Sequence, residues 1–246
     1  TQLRVSGKRP RAISLDNYYR NHEDIPLGAD GKPDLECLES IDVPLFNDQL
    51  VELLAGREVE LPLYSFKTKS RLEKGVPLRV GKEEVLIIEG IHGLNDALSA
   101  EIPSEFKYRV YVSALTQLNL DCHNRIRTTD VRLLRRMVRD QRTRHTDVSA
   151  TMAMWDSVRA GEEKYIFPFQ EKADVMFNSS LLYEIAVLKK YAYPMLKSIG
   201  KDSPYYVHSR RLIKFLNYFR NCDEESEIPP TSILREFIGG CTFYDE

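Results

Sequence analysis

Two short apolar runs that each end on a carboxylate constrain this chain most. Residues 11–15 read RAISL and run into Asp16, and residues 85–88 read VLII and run into Glu89-Gly90. Four or five apolar residues that break off at a polar turn fit a strand buried in a parallel sheet. A carboxylate at the C-terminal end of such a strand stands where open α/β sheets place their ligands. Residues 108–112 and 174–177 supply two further strand candidates, the second followed by Asn178-Ser179-Ser180. Helical spacing fills the intervals: residues 46–55 closed by Gly56, residues 130–142 dense in arginine, and residues 181–198 with Leu, Ile and Val three and four apart. Strand alternating with helix predicts an α/β domain, a doubly wound parallel sheet flanked by helices.

With 246 residues and 42% hydrophobic content, the chain is long and apolar enough for one sizeable α/β domain with appendages. Lys plus Arg number 35 against 37 Asp plus Glu, a net charge of −2, so any attraction to nucleic acid or an anionic membrane must be local. Cys37, Cys122, Cys222 and Cys241 form no C-x-x-C pair and have no His at zinc-ligand spacing. Neither a disulfide framework nor a structural metal is expected, and a reducing cytoplasm is the simplest compartment. No run of 18 apolar residues suggests a membrane span.

The first ten residues read as a helix end, a stop at Gly7 and a turn into a strand. With Thr1 in place of Met, the chain is expected to begin inside a domain. Residues 27–38 (LGADGKPDLECL) carry turn formers and read as a surface loop. After about residue 200 the pattern changes: residues 209–219 form an amphipathic helix, 223–228 are acidic, and Pro229-Pro230 precedes SILREFIGG. Residues 201–246 therefore read as a helical C-terminal appendage to a main domain of residues 1–200.

Phosphoryl transfer asks a protein for a phosphate cradle, a magnesium ion, a carboxylate near the attacking hydroxyl and positive charge around the transferring group. In S-L-D-N-Y-Y-R, residues 14–20, Asp16 stands at a strand end among aromatics, suited to accept a hydroxyl proton or hold metal-bound water, or simply to cap a turn. In V-L-I-I-E-G-I-H-G, residues 85–93, Glu89 fits the acid that an apolar strand delivers to magnesium, although many buried strands end in Glu-Gly. The stretch R-L-L-R-R-M-V-R-D-Q-R-T-R-H places Arg132, Arg135, Arg136 and Arg139 three or four apart, with Arg142 and Arg144 at the exit. One helix face then carries several guanidiniums, whose forks suit phosphate oxygens. Asp130 and Asp140 are the only acids there, which favours a phosphate-facing lid over a solvated face. RNA phosphates are the alternative target.

The cradle is absent: no G-x-x-x-x-G-K-[ST] occurs in the 246 residues. Gly7-Lys8-Arg9 lacks both the upstream glycine spacing and the hydroxyl. Such a loop opens the helix that follows the first strand. If residues 11–15 are the second strand, the loop is expected to precede Thr1.

At S-L-D-N-Y-Y-R the chain resembles the uridine kinase and phosphoribulokinase family of P-loop kinases. The resemblance continues in order through I-D-V-P (41–44), L-P-L-Y-S-F-K-T-K-S-R (61–71), I-I-E-G-I (87–91) and R-R-M-V-R-D-x3-R (135–144), spanning roughly residues 11–180. The stretch W-D-S-V-R-A-G-E-E-K-Y-I-F-P-F-Q-E-x-A-D-V-M-F-N-S-S-L (155–181) is similar to a bacterial uridine kinase-like subgroup. In that subgroup the kinase domain often follows domains like those at the N-terminus of threonyl-tRNA synthetase. The resemblance implies a P-loop NTPase-like sheet with a helical lid, ATP and Mg2+ as cofactors, and a small-molecule nucleoside or sugar-phosphate acceptor.

It also assigns roles. Asp16 matches the catalytic carboxylate at the nucleoside hydroxyl, Asp42 the acid that holds ribose hydroxyls, and Glu89 the acid near magnesium. Tyr64 and Phe66 match positions lining the base pocket, Arg136 an arginine at the ribose, and Arg139 and Arg144 lid arginines at the phosphates. Two positions depart from the family pattern: Lys69 replaces the His found in members that phosphorylate uridine or cytidine, and Val43 replaces the His of D-H-P. Lys69 meets either a substrate phosphate or solvent. Trp155, Phe167 and Phe169 read as packing aromatics, and His92 and His145 have no metal partners at useful spacing. The leading expectation is an ATP-dependent phosphotransferase that lacks activity without its phosphate-binding loop. The competing one is a non-catalytic module that binds RNA or nucleotide on a kinase scaffold.

Overall fold

A computed structural model describes residues 2–28 and 31–243, so two residues of the 27–38 loop, 29 and 30, lie outside the described residues. The chain forms two compact units, Thr1–Tyr111 with Ser157–Val175, and Val112–Asp156 with Met176–Glu246.

The first unit opens with helix α1 (Gln2–Val5), closed at Gly7 with φ 78°, and strand β1 (Arg9–Ser14). Helix α2 (Val43–Leu54) starts where Asp42 accepts a hydrogen bond from the Leu45 N–H at 3.3 Å, with Pro44 in the first turn, and stops before Gly56 at φ 76°. A polar N-cap, an early proline and a left-handed glycine are the start and stop signals a helix needs. The short strands β2 (Val59–Leu61) and β5 (Val76–Leu78) pair antiparallel around a hairpin of β3 (Tyr64–Ser65) and β4 (Ser70–Arg71). Strand β6 (Glu84–Glu89) returns to pair with β1 in parallel register, Ile13 opposite Ile88 and Ser14 opposite Glu89.

Ile13, Leu15, Ile41, Phe46, Leu50 and Leu53 form the core of this unit, with the Tyr18 ring edge-on to Phe46 at 5.1 Å. Each such side chain contributes on the order of 1.5–3 kcal/mol when fully buried. The expectation that β6 is buried on both faces needs correcting. Leu86 and Ile88 pack on the core, but Val85 and Ile87 are 37% and 40% exposed. Among the described residues β1 is the only strand paired with β6, and the face that Val85 and Ile87 share is open to solvent.

In the second unit β7 (Val110–Ser113) pairs with β8 (Val175–Asn178), and the chain passes between units within each of these strands. Helix α3 (Thr128–Thr143) carries the arginines, and α4 (Val148–Gly161), which sequence periodicity did not single out, follows it. Helices α5 (Glu184–Lys197), α6 (Tyr206–Leu216) and α7 (Leu234–Ile238) complete the unit. Helix α3 buries Val131, Leu133, Leu134, Met137 and Val138 and packs against α5 and α7, while α6 packs against α5. Residues beyond 200 thus share a core with the arginine helix. Among the described residues no helix is long and apolar enough to cross a membrane.

Candidate active site

Strands β1 and β6 run parallel with Ser14 opposite Glu89, so Glu89 at the end of β6 and Asp16, two residues past the end of β1, lie at the same edge of the sheet. Strand β1 runs into a 3₁₀ turn, Leu15–Tyr18, that buries Leu15 and Tyr18 and leaves Asp16 exposed. Glu89, also exposed, ends β6 opposite Ser14. The backbone after Glu89 passes close over Leu15: Gly90 has φ 152°, and a Cβ there would lie 2.7 Å from the Leu15 Cβ. Only glycine fits both the backbone angle and the gap. The close approach that places Glu89 beside the Asp16 turn therefore depends on Gly90.

The β3–β4 hairpin lies against the same turn. The Tyr64 N–H donates to Asn17 Oδ1 at 3.2 Å, the Arg71 N–H to Asn21 Oδ1 at 3.1 Å, and the His22 N–H to the Lys69 carbonyl at 3.2 Å. Tyr19, Tyr64 and Phe66 form an aromatic cluster, with ring centroids 5.6 Å apart for Tyr19 and Tyr64 and 5.2 Å for Tyr64 and Phe66. Phe66 is 56% exposed, so the cluster presents an open aromatic surface to a planar ligand. Burial raises the Tyr19 phenol well above its ordinary value, and the Asp16 carboxylate adds to the shift. Burial also raises Tyr64. Lys69 sits exposed in the hairpin loop with a left-handed backbone, φ 56°.

Arg71 was not singled out by sequence, yet it ties this site together. Its guanidinium donates to the Tyr18 carbonyl at 2.9 Å, the Tyr19 carbonyl at 3.0 Å and Asp42 Oδ2 at 3.0 Å. Asp42 also caps α2 and lies 3.8 Å from Arg20. Asp42 is thus a hub of the fold as well as a candidate ligand for hydroxyls. Arg71 closes the same L-P-L-Y-S-F-K-T-K-S-R string that supplied Tyr64, Phe66 and Lys69, but nothing in the string distinguishes a clamp from a surface charge. His92, three residues after Glu89, is buried edge-on to Tyr165 at 5.8 Å. Burial pushes its imidazole below the ordinary value, opposed by the Cys37 carbonyl, the Glu39 charge and the Glu36 carbonyl.

In the second unit the three arginines to which the resemblance gave roles converge on one carboxylate. Asp140, 1% exposed, receives Arg136 Nε at 3.2 Å, Arg139 Nε at 3.2 Å and Arg144 Nη1 at 3.6 Å. Asp140 read in sequence as one of two stray acids, whereas in the fold it gathers the guanidiniums. Arg135 departs from the expected basic face. It is buried, paired with Glu184 and bonded to the Ser179 carbonyl at 2.8 Å, and it serves the core of the unit. Asp130 is likewise taken up, bidentate with Arg211 at 2.7 Å to each oxygen.

Magnesium fits the first unit. Mg2+ takes one or two carboxylates and fills its octahedron with water and substrate phosphate oxygens, and Asp16 with Glu89 offers that donor set at a strand edge. Among the described residues no cluster of three or more His, Cys, Asp or Glu forms a dedicated metal cage. A triphosphate is less fully provided for, since the arginines are present but no glycine-lysine cradle lies within the 246 residues.

Comparison with known proteins places this arrangement. The phosphoribulokinase / uridine kinase family matches residues 11–186, well over half of the chain. The chain is 28% identical over 173 residues to a uridine kinase of Deinococcus deserti, covering 70% of this chain and 75% of that protein. It is 26% identical over 179 residues to uridine-cytidine kinase B of Dictyostelium discoideum, covering 70% and 64%. A solved structure of a candidate fructose transport system kinase from Silicibacter sp. TM1040 shares the α/β fold at a TM-score of 0.50 and 13% identity, over 71% of this chain and 78% of that one. The parallel strand pair, its flanking helices and the ordered motifs agree, and the chain belongs to the phosphoribulokinase / uridine kinase family.

Proposed function

We propose that this chain carries the acceptor site and the lid of an ATP- and magnesium-dependent phosphotransferase that phosphorylates a hydroxyl of a nucleoside or a related sugar phosphate. The observation that carries the reading is the register of β1 with β6, which brings Asp16 and Glu89 to the same edge of the sheet beside the Tyr19, Tyr64 and Phe66 cluster. Asp16, exposed on its turn, accepts the proton of the attacking hydroxyl as its oxygen bonds the γ-phosphorus of ATP and the bond to the departing ADP oxygen breaks. Tyr64 and Phe66 stack on the base or sugar, and Asp42, oriented by Arg71, takes ribose hydroxyls through lone pairs its cap and ion pair leave open. By the family resemblance Arg136 is the arginine for the ribose, and Arg139 and Arg144 are lid arginines whose guanidiniums suit phosphate oxygens. Asp16 and Glu89 would hold magnesium, which when bound would offset negative charge on the phosphates. In this reading Lys69, exposed in the hairpin loop, supplies a cation for an acceptor phosphate.

In this reading residues 1–200 are the kinase domain and residues 201–246 a helical appendage to it. The test is a panel of nucleosides and sugar phosphates with ATP and Mg2+, run on a longer form carrying a G-x-x-x-x-G-K-[ST] loop and on its Asp16→Asn variant. We expect kcat to fall on the order of 10²–10⁴-fold with little change in ATP affinity. Near-parental kcat in the variant reduces Asp16 to a turn residue. No turnover of any acceptor by the longer form favours a nucleotide- or RNA-binding module.

A further inference from the structure

The C-terminal appendage touches the arginine helix at Arg135, Arg139 and Arg142, of which Arg139 is the one assigned above to phosphate. Helix α7 is anchored firmly: Leu234 and Phe237 are buried, and Arg235 donates to the carbonyls of Glu225 and Ile228 at 2.7 Å each. From that anchorage α7 makes three contacts with the arginines. The Phe237 ring lies under the Arg135 guanidinium, 5.2 Å from its centroid. The Glu236 carbonyl accepts from Arg142 Nη2 at 3.0 Å. The Glu236 carboxylate lies 3.7 Å from Arg139 Nη1. Arg139 therefore faces two carboxylates, Asp140 at 1% exposure and Glu236 at 40%. The first is fixed in the core of the unit, whereas the second is half-open to solvent.

We infer that α7 is part of the phosphate lid and that Glu236 is a positioning residue: its carboxylate holds Arg139 as an internal anion, which an incoming polyphosphate must displace. A guanidinium that pairs with phosphate through its planar fork pairs equally well with a carboxylate. The two anions then compete for one cation, and an exposed partner yields before a buried one because leaving costs it less desolvation. The inference rests on the reading that Arg139 meets phosphate.

It is tested by calorimetric titration of tripolyphosphate into the 246-residue chain and into E236Q, E236D, E236K and R139Q, all at the same ionic strength. We expect E236Q to bind about two- to fivefold more tightly than the parent, the scale of releasing one half-exposed ion pair. E236K should bind more tightly still, and E236D should stay near the parent because it keeps the charge. R139Q should bind more weakly, and adding E236Q to R139Q should give no further gain. Equal affinity in the parent, E236Q and E236K overturns the inference while leaving the lid reading intact. Binding by none of the proteins overturns both. Unchanged thermal melting in E236Q would confirm that the affinity shift is local to Arg139.

Discussion

Single residues in this protein hold positions that their neighbours enforce. Gly90 is the clearest case, because its φ of 152° and the 2.7 Å gap to Leu15 leave no space for a Cβ. Gly90→Ala is expected to destabilise the fold by about 2–4 kcal/mol, from backbone strain plus overpacking. Urea unfolding monitored by circular dichroism measures this, and a cost below half a kcal/mol would mean that the loop relaxes freely. His92 makes a pH-dependent contribution. Burial holds its folded-state pKa below the ordinary 6.5, so the unfolded chain takes up the proton first. Its stabilising contribution is complete above about pH 6.5 and is lost as pH falls through the depressed folded value. The stability difference between parent and His92→Phe should shrink or reverse as the pH is lowered from 7 toward 5. A difference constant across that range would show that His92 does not titrate on unfolding.

At the scale of elements, the candidate site is a set of short pieces held by polar ties rather than by long strands. The β3–β4 hairpin has only two residues in each strand, too few to be stable alone. It keeps its place through Arg71, whose donors reach two carbonyls and a carboxylate on separate segments. An ammonium cannot reproduce that fork. Arg71→Lys is expected to cost about 1–3 kcal/mol by leaving half-buried acceptors unpaired. It should also loosen the Tyr64 and Phe66 surface, which chemical-shift changes confined to residues 17–22 and 62–72 would report. Shifts scattered across the chain would instead point to global loss of structure. The arginine helix shows a parallel logic, since Asp140 gathers three guanidiniums and α7 adds Glu236, so lid charge is balanced inside one unit.

For the whole molecule, the dominant fact is that no G-x-x-x-x-G-K-[ST] phosphate cradle lies within the 246 residues. Positioning supplies most of the acceleration in phosphoryl transfer. The purified 246-residue chain should therefore show no ATP-dependent turnover of any nucleoside or sugar phosphate, measured as ADP release over the no-acceptor background. Robust turnover would show that another element of the chain cradles the phosphates. The half-exposed Val85 and Ile87 on β6 fit the same picture of a sheet whose apolar side chains are incompletely covered.

The sequence by itself determined the elements and the family. Apolar runs ending in Asp16 and Glu89, the Gly7 and Gly56 stops and the arginine periodicity are local patterns, and local patterns survive in one dimension. Strand β1, strand β6 and helices α2, α3, α5 and α6 lie where those patterns put them, with ends shifted by a few residues. Helix α4 was missed because its small and mixed residues give only a weak apolar stripe. Tertiary structure alone decided which charges are spent on the fold. Arg71 looks in sequence like any exposed arginine, Arg135 like one more member of a phosphate-facing row, and Asp140 and Glu236 like any solvated acid. Their roles depend on partners that are mostly distant in the chain, 29 residues away for Arg71 and Asp42 and 49 for Arg135 and Glu184. Electrostatic partnership depends on distance in space and on burial, and neither quantity is written in the order of residues.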